Sequence, residues 1–107
     1  MNDKEYIYNK LKELGVTINP QYGMVFDSHI NVLLDRLKNN ECVYYEDSSF
    51  VNELSNRSMD IAHQILDPLF EKYHVYKNEI EIGLFAIYIN LYKEEKKDGK
   101  TFSSNWT

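Results

Sequence analysis

The sequence predicts an all-α fold, a compact bundle of four to five helices. Apolar residues recur at three- and four-residue spacing through most of the 107 residues. Gly, Pro, Asn and Ser separate the segments patterned in this way, and these residue types cap or end helices. The one stretch that could be a strand, Glu41 to Tyr45 (ECVYY), has no second strand to pair with and reads as an inward-packing loop. A chain of this length holds a single core, so residues 1–95 are expected to form one domain.

Tyr6, Ile7, Leu11 and Leu14 define a first helix from Asp3 to Leu14, and Gly15 supplies the left-handed residue that commonly ends one. VTINPQYG, with Pro20 and Gly23, is a connection. A second helix runs from Tyr22 to Asn39, its apolar stripe supplied by Val25, Phe26, Ile30, Leu33, Leu34 and Leu37. Asp47-Ser48-Ser49 are cap residues ahead of Phe50, Leu54, Met59, Ile61, Ala62, Ile65, Leu66, Leu69, Phe70 and Tyr73, the longest predicted helix. Pro68 should kink or break it near Leu66. After the connection HVYKN, a last helix runs from Glu79 to about Glu95 with two stripes: Ile80, Leu84, Ile87, Leu91 and Glu81, Phe85, Tyr88, Tyr92. Two stripes place it centrally in the bundle. Residues 96–107, KKDGKTFSSNWT, are too polar to order themselves and are expected to form a mobile tail, with Phe102 and Trp106 able to dock on a neighbour.

Charge and composition exclude several classes of function. With 17 acidic against 12 basic residues, the net charge of −5 argues against direct binding to nucleic acid or anionic membranes. The longest apolar run, Ile82 to Ile89, is too short to span a bilayer, and MNDKEY lacks a secretory apolar core, so a cytoplasmic protein is expected. Cys42, the sole cysteine, reads as a plain thiol. No metal-ligand spacing, glycine-rich phosphate loop or serine elbow is present, and the expectation is a non-enzyme without cofactor or metal. Glu79 and Glu81 lie two apart on a helix and face different ways, so they read as first-turn acids suited to the helix dipole.

Among the three histidines, His63 within the long helix and His74 at its end carry ordinary structural readings. His29 differs. Arg36 follows it by seven residues, about two helical turns, so both project from one side of the second helix with Val32 between them. A cation thus sits near a titratable nucleophile at the edge of the buried face.

FDSHINVLLDRLKNNE, with His29 and Arg36 in this spacing, followed after a long helix by IEIGLFAIYI, resembles the PTS regulation domain, or PRD. The resemblance covers about Gln21 to Tyr92. That family is a helical module of bacterial antiterminators and transcriptional activators, phosphorylated on histidine by the sugar phosphotransferase system. It implies that His29 is a phosphoacceptor supported by Arg36, and that Glu81 matches a glutamate placed seven residues before a second histidine. Tyr88 occupies that histidine's position, and Ser28 stands where relatives often carry aspartate, with Asp27 one place earlier. The implied partners are the phosphocarrier HPr or a sugar-transporter phosphotransfer subunit as donor, and a second PRD-like chain in a homodimer or hetero-oligomer. Transfer potential limits Tyr88, because a tyrosyl phosphate ester cannot pass its group on as a phosphoramidate does. One input, or none, is therefore expected, and the alternative is a non-phosphorylated structural interaction subunit that keeps the fold.

Overall fold

A computed structural model describes the backbone of residues 2–98 and the side chains of residues 2–90. Four helices, α1 (Asp3–Glu13), α2 (Gly23–Asn39), α3 (Asn56–Lys72) and α4 (Glu79–Asp98), form an all-α bundle with no strand among the described residues. Two short 3-10 turns, Pro20–Tyr22 and Ser49–Glu53, lie in the connections. The tail predicted to be mobile, with Phe102 and Trp106, lies outside the described residues from Gly99 onward, and α4 runs past the expected end at Glu95 to Asp98.

Local chemistry sets the helix ends. Asn2 and Glu5 form a reciprocal cap at the start of α1: Asn2 Oδ1 accepts from the Glu5 N–H at 2.8 Å, and Glu5 Oε1 accepts from the Asn2 N–H at 3.3 Å. At the other end Gly15 takes φ 72° and the Val16 N–H returns to the Leu11 carbonyl at 2.8 Å. The same wrap ends α2 at Asn40 (φ 54°) and α3 at His74 (φ 57°), where no glycine is present. Asn and His are among the side chains that enter this left-handed region most readily.

The core is built from Ile7 and Leu11 of α1, Phe26, Ile30, Leu33 and Leu37 of α2, Ile61, Ile65, Leu66 and Phe70 of α3, and Ile82, Phe85, Ala86 and Ile89 of α4. As its double stripe predicts, α4 is central and packs against α3, α2 and the Ser49–Glu53 turn. Its most enclosed positions include a set at 82, 86 and 89 that the two predicted stripes omit. Gly83 lets the Ser49–Glu53 turn approach, since a Cβ there would lie 2.9 Å from Val51 Cγ2 and 3.0 Å from the Phe50 ring.

Three expectations are corrected. The long third helix is divided: Leu54 is extended, and Ser55 begins a new helix by accepting from the Ser58 N–H through its Oγ at 3.1 Å. The residues from Ser49 to Glu53 are therefore a separate turn, and α4, with 20 residues against 17 in α3, is the longest helix. Of the kink or break expected near Leu66, the break is absent: α3 continues through Pro68, and Ile65, Leu66, Leu69 and Phe70 hold both sides of the proline in the core. Val25 does not join the buried stripe of α2. It is 56 % exposed, on the outer side with Met24 and Val32.

Candidate functional site

Two side-chain pairs, each built from residues seven apart, join α2 to α4. Arg36 faces Glu81, and His29 faces Tyr88, so the two helices run antiparallel and the pairs form two rungs. Seven residues at the helical rise separate the rungs by about 10.5 Å.

The first rung is an ion pair held at two points. Arg36 Nε donates to Glu81 Oε2 at 2.6 Å and Nη2 donates to Oε1 at 2.7 Å. Glu81 is fully enclosed, at 0 % exposure. It also accepts from the Val43 N–H at 3.0 Å, so three donors surround this carboxylate. These hydrogen bonds, ahead of the loss of solvent that opposes them, push the Arg36 guanidinium above its already high range. The reading of Glu81 as a simple first-turn acid is therefore corrected. It lies on the stripe with Phe85 and Tyr88 that faces α2, while Glu79 points away and reaches His63 Nε2 at 3.2 Å. Arg36 is likewise committed to Glu81 and does not stand as an unpaired cation beside His29.

At the second rung the His29 ring lies 5.4 Å from the Tyr88 ring, tilted by 56°. Phe26 completes the aromatic wall, 5.2 Å from Tyr88 in an edge-on contact. His29 Nε2 is buried without a hydrogen-bond partner. Burial first, then the positive charge of Arg36, lowers the His29 pKa below its ordinary 6.5, and Glu81 acts in the opposite direction. Both lowering causes favour the neutral form of the imidazole, the form that carries a nitrogen lone pair. The Tyr88 hydroxyl makes no hydrogen bond among the described residues, and burial raises its pKa.

Neighbouring polar groups have separate employment. Asp27 anchors α2 to α1, accepting from Lys4 Nζ and the Tyr8 hydroxyl, each at 2.8 Å. Those hydrogen bonds hold its carboxyl below the usual range. His63 bridges α3 to α4, with Nδ1 3.0 Å from Asp67 and Nε2 against Glu79. His74 is exposed at the end of α3. Cys42 is half-buried, and burial followed by Glu81 pushes its thiol up, which makes it a poor nucleophile. No group of three or more His, Cys, Asp or Glu among the described residues could hold a metal ion. Nor is any described helix long and apolar enough to cross a membrane.

Asn78, treated in the sequence as part of a connection, is the residue that sequence reasoning missed. Its Oδ1 caps α4 by accepting from the N–H groups of Ile80 (2.8 Å) and Glu81 (3.1 Å). Its Nδ2 donates to the Val43 carbonyl at 2.9 Å. An asparagine immediately before Glu79 was the available signal, since that is an N-cap position.

The family model of the PRD domain matches residues 4–92 of this 107-residue chain. The chain belongs to the PRD family. PRD domains serve as regulatory domains of the sugar phosphotransferase system and are not enzymes. Comparison with curated proteins and with solved structures returned no match. Within this PRD, the two rungs between α2 and α4 bring together the four residues singled out in the sequence: His29, Arg36, Glu81 and Tyr88.

Proposed function

We propose that this PRD senses the phosphorylation state of the sugar phosphotransferase system through His29 and passes the response to protein partners in bacterial transcriptional or metabolic regulation. The observation that carries this reading is a half-buried imidazole with an unpartnered Nε2 against Tyr88, at the His29 position of a chain whose PRD match spans residues 4–92. In the transfer step an unprotonated nitrogen of His29 attacks the phosphorus of a phosphohistidine donor. The donor's P–N bond breaks, its electron pair returns to the donor imidazole, and a P–N bond forms on His29. HPr or a sugar-transporter phosphotransfer subunit is the donor, in the cytoplasm, and a second PRD-like chain is the partner for dimerisation. Because Nε2 is enclosed, use of that nitrogen requires the side chains around it to part.

A second reading, a structural interaction subunit without phosphoryl chemistry, is favoured by Tyr88 in place of the second histidine and by the enclosure of Nε2. Incubation with labelled phosphoenolpyruvate, the general phosphotransferase enzyme, HPr and a candidate transporter subunit separates the two. Label on the wild type that is lost in His29→Ala supports the switch. An unlabelled protein that still sediments as a dimer or captures a partner supports the subunit.

A further inference from the structure

Val43 is held to α4 by both of its backbone polar groups. Its N–H donates to Glu81 Oε2 at 3.0 Å, and its C=O accepts from Asn78 Nδ2 at 2.9 Å. Neither bond belongs to a sheet or a helix. Beside the packing of Cys42 against the core and the Tyr45–Phe50 ring contact, the 41–45 segment is held in place by these two side chains. Glu81, the same carboxylate that binds Arg36, is one of them. Asn78 is itself fixed, because its Oδ1 caps α4. At the other end of the segment, the Glu41 N–H donates to the Arg36 carbonyl at 2.8 Å. The Glu41 bond is the backbone wrap that ends α2, so the ion pair reaches the segment through Glu81 at Val43, and Tyr44 and Tyr45 follow directly, exposed to solvent.

We propose that residues 41–45 are a latch whose closure depends on the Arg36–Glu81 ion pair, so that new negative charge at His29 opens it. For its trigger this inference rests on the reading of His29 as phosphoacceptor; the latch itself does not. A phosphoryl group on His29 places a dianion about 10 Å from the pair, measured along the helix, on its partly buried side. That field draws the Arg36 guanidinium toward His29 and repels the Glu81 carboxylate. Burial limits screening at this range, which is close to the Debye length in physiological salt. Glu81 cannot move without surrendering the Val43 N–H, and a buried carboxylate drawn away from its cation has lost the compensation for its missing solvent. Its displacement loosens Val43 and repositions Tyr44 and Tyr45. Charge at His29 is thereby converted into a change of surface two turns away along α2.

Amide hydrogen exchange on the full chain tests the latch in two arms, with the α3 amides from Ile61 to Phe70 as the internal measure of global stability. In the first arm, Arg36→Lys keeps the charge and removes the two-point fork, without any phosphorylation. The expected result is exchange at Val43 and across 41–46 at least tenfold faster, with the α3 amides changed less than twofold. Equal acceleration of both regions, or none at Val43, overturns the latch. Should Arg36→Lys unfold, Glu81→Gln, which retains an acceptor for Val43, is read by ratio: acceleration at Val43 at least tenfold greater than at the α3 amides supports the latch, and equal acceleration overturns it. In the second arm the wild type is treated with phosphoramidate, a histidine-directed phosphoryl donor, and the site is mapped. Phosphate on His29 with faster exchange at Val43 supports the trigger, and phosphate on His29 with unchanged exchange overturns it. Failure of His29 to accept phosphate from any donor contradicts the proposed function and the trigger together, while the first arm still decides the latch.

Discussion

The Arg36 guanidinium meets both oxygens of the enclosed Glu81 carboxylate, at 2.6 and 2.7 Å, and so fastens α2 to α4 at the end of the site opposite Tyr88. Removing one partner leaves the other charge uncompensated. Arg36→Met is therefore expected to cost about 3–5 kcal/mol in urea unfolding. The double variant Arg36→Met/Glu81→Leu should recover most of that loss, because two apolar side chains replace the pair. Additive losses in the double-mutant cycle would show that the two residues act separately.

Stability should respond to the His29 proton in a defined pH window. Its pKa in the folded protein lies below the ordinary 6.5, through burial and then Arg36, so the unfolded chain binds the proton more tightly. Stability is complete above 6.5 and is lost as pH falls from there through the lowered folded value. Asp3, where hydrogen bonds from Lys72 and Tyr73 outweigh the effect of burial, adds its own loss only as pH falls below 3.8. Urea unfolding of the wild type and His29→Gln at pH 7.5 and pH 5 separates the first effect. The variant should lose less stability between the two values, and equal losses would show that His29 does not titrate as its surroundings require.

Gly83 lies inside α4, where alanine would ordinarily add about 1 kcal/mol of helix stability. The contact with Val51 Cγ2 at 2.9 Å reverses that expectation. Overpacking costs about 1–3 kcal/mol, so Gly83→Ala should lower stability by about 1 kcal/mol net, and thermal unfolding measures it. A stabilised Gly83→Ala would mean that the Ser49–Glu53 turn yields freely.

Most of the fold was legible because apolar periodicity is strong wherever a helix meets the core. α1 and α2 end within a residue of their predicted limits, and α4 is central as its double stripe implies. The third helix was misread because Phe50 and Leu54 continue the apolar rhythm of α3 while belonging to a separate turn, and the decisive feature is the cap that Ser55 makes to Ser58. Periodicity cannot see a cap in the middle of an apolar run. At the site, spacing placed His29 and Arg36 on one side of a helix. The partners of Arg36 depend on how α2 and α4 pack, a relationship between residues 45 apart in sequence. The link between Asn78 and Val43 escaped for the same reason, since Val43 binds through a loop backbone that carries no side-chain signal, whereas the cap that Asn78 makes to α4 was signalled by its place before Glu79.

Tyr88 tests the second rung. Its hydroxyl makes no hydrogen bond among the described residues, so Tyr88→Phe removes no such contact there and should alter stability by less than about 0.5 kcal/mol. Loss of the ring is different. Tyr88→Ala empties the space beside His29 and Phe26 and should cost about 3 kcal/mol or more, a contrast that chemical denaturation of both variants resolves. Equal losses in the two variants would point to a polar role for the hydroxyl.

Site mapping by mass spectrometry addresses the central claim most directly. The protein is phosphorylated through phosphoenolpyruvate, the general phosphotransferase enzyme, HPr and a transporter subunit, then digested under alkaline conditions that spare phosphohistidine. Phosphate is expected on His29 and on none of His63, His74 or Tyr88. Phosphate that survives His29→Ala and disappears in His74→Ala, or that lies on Tyr88 in the wild type, would contradict the claim.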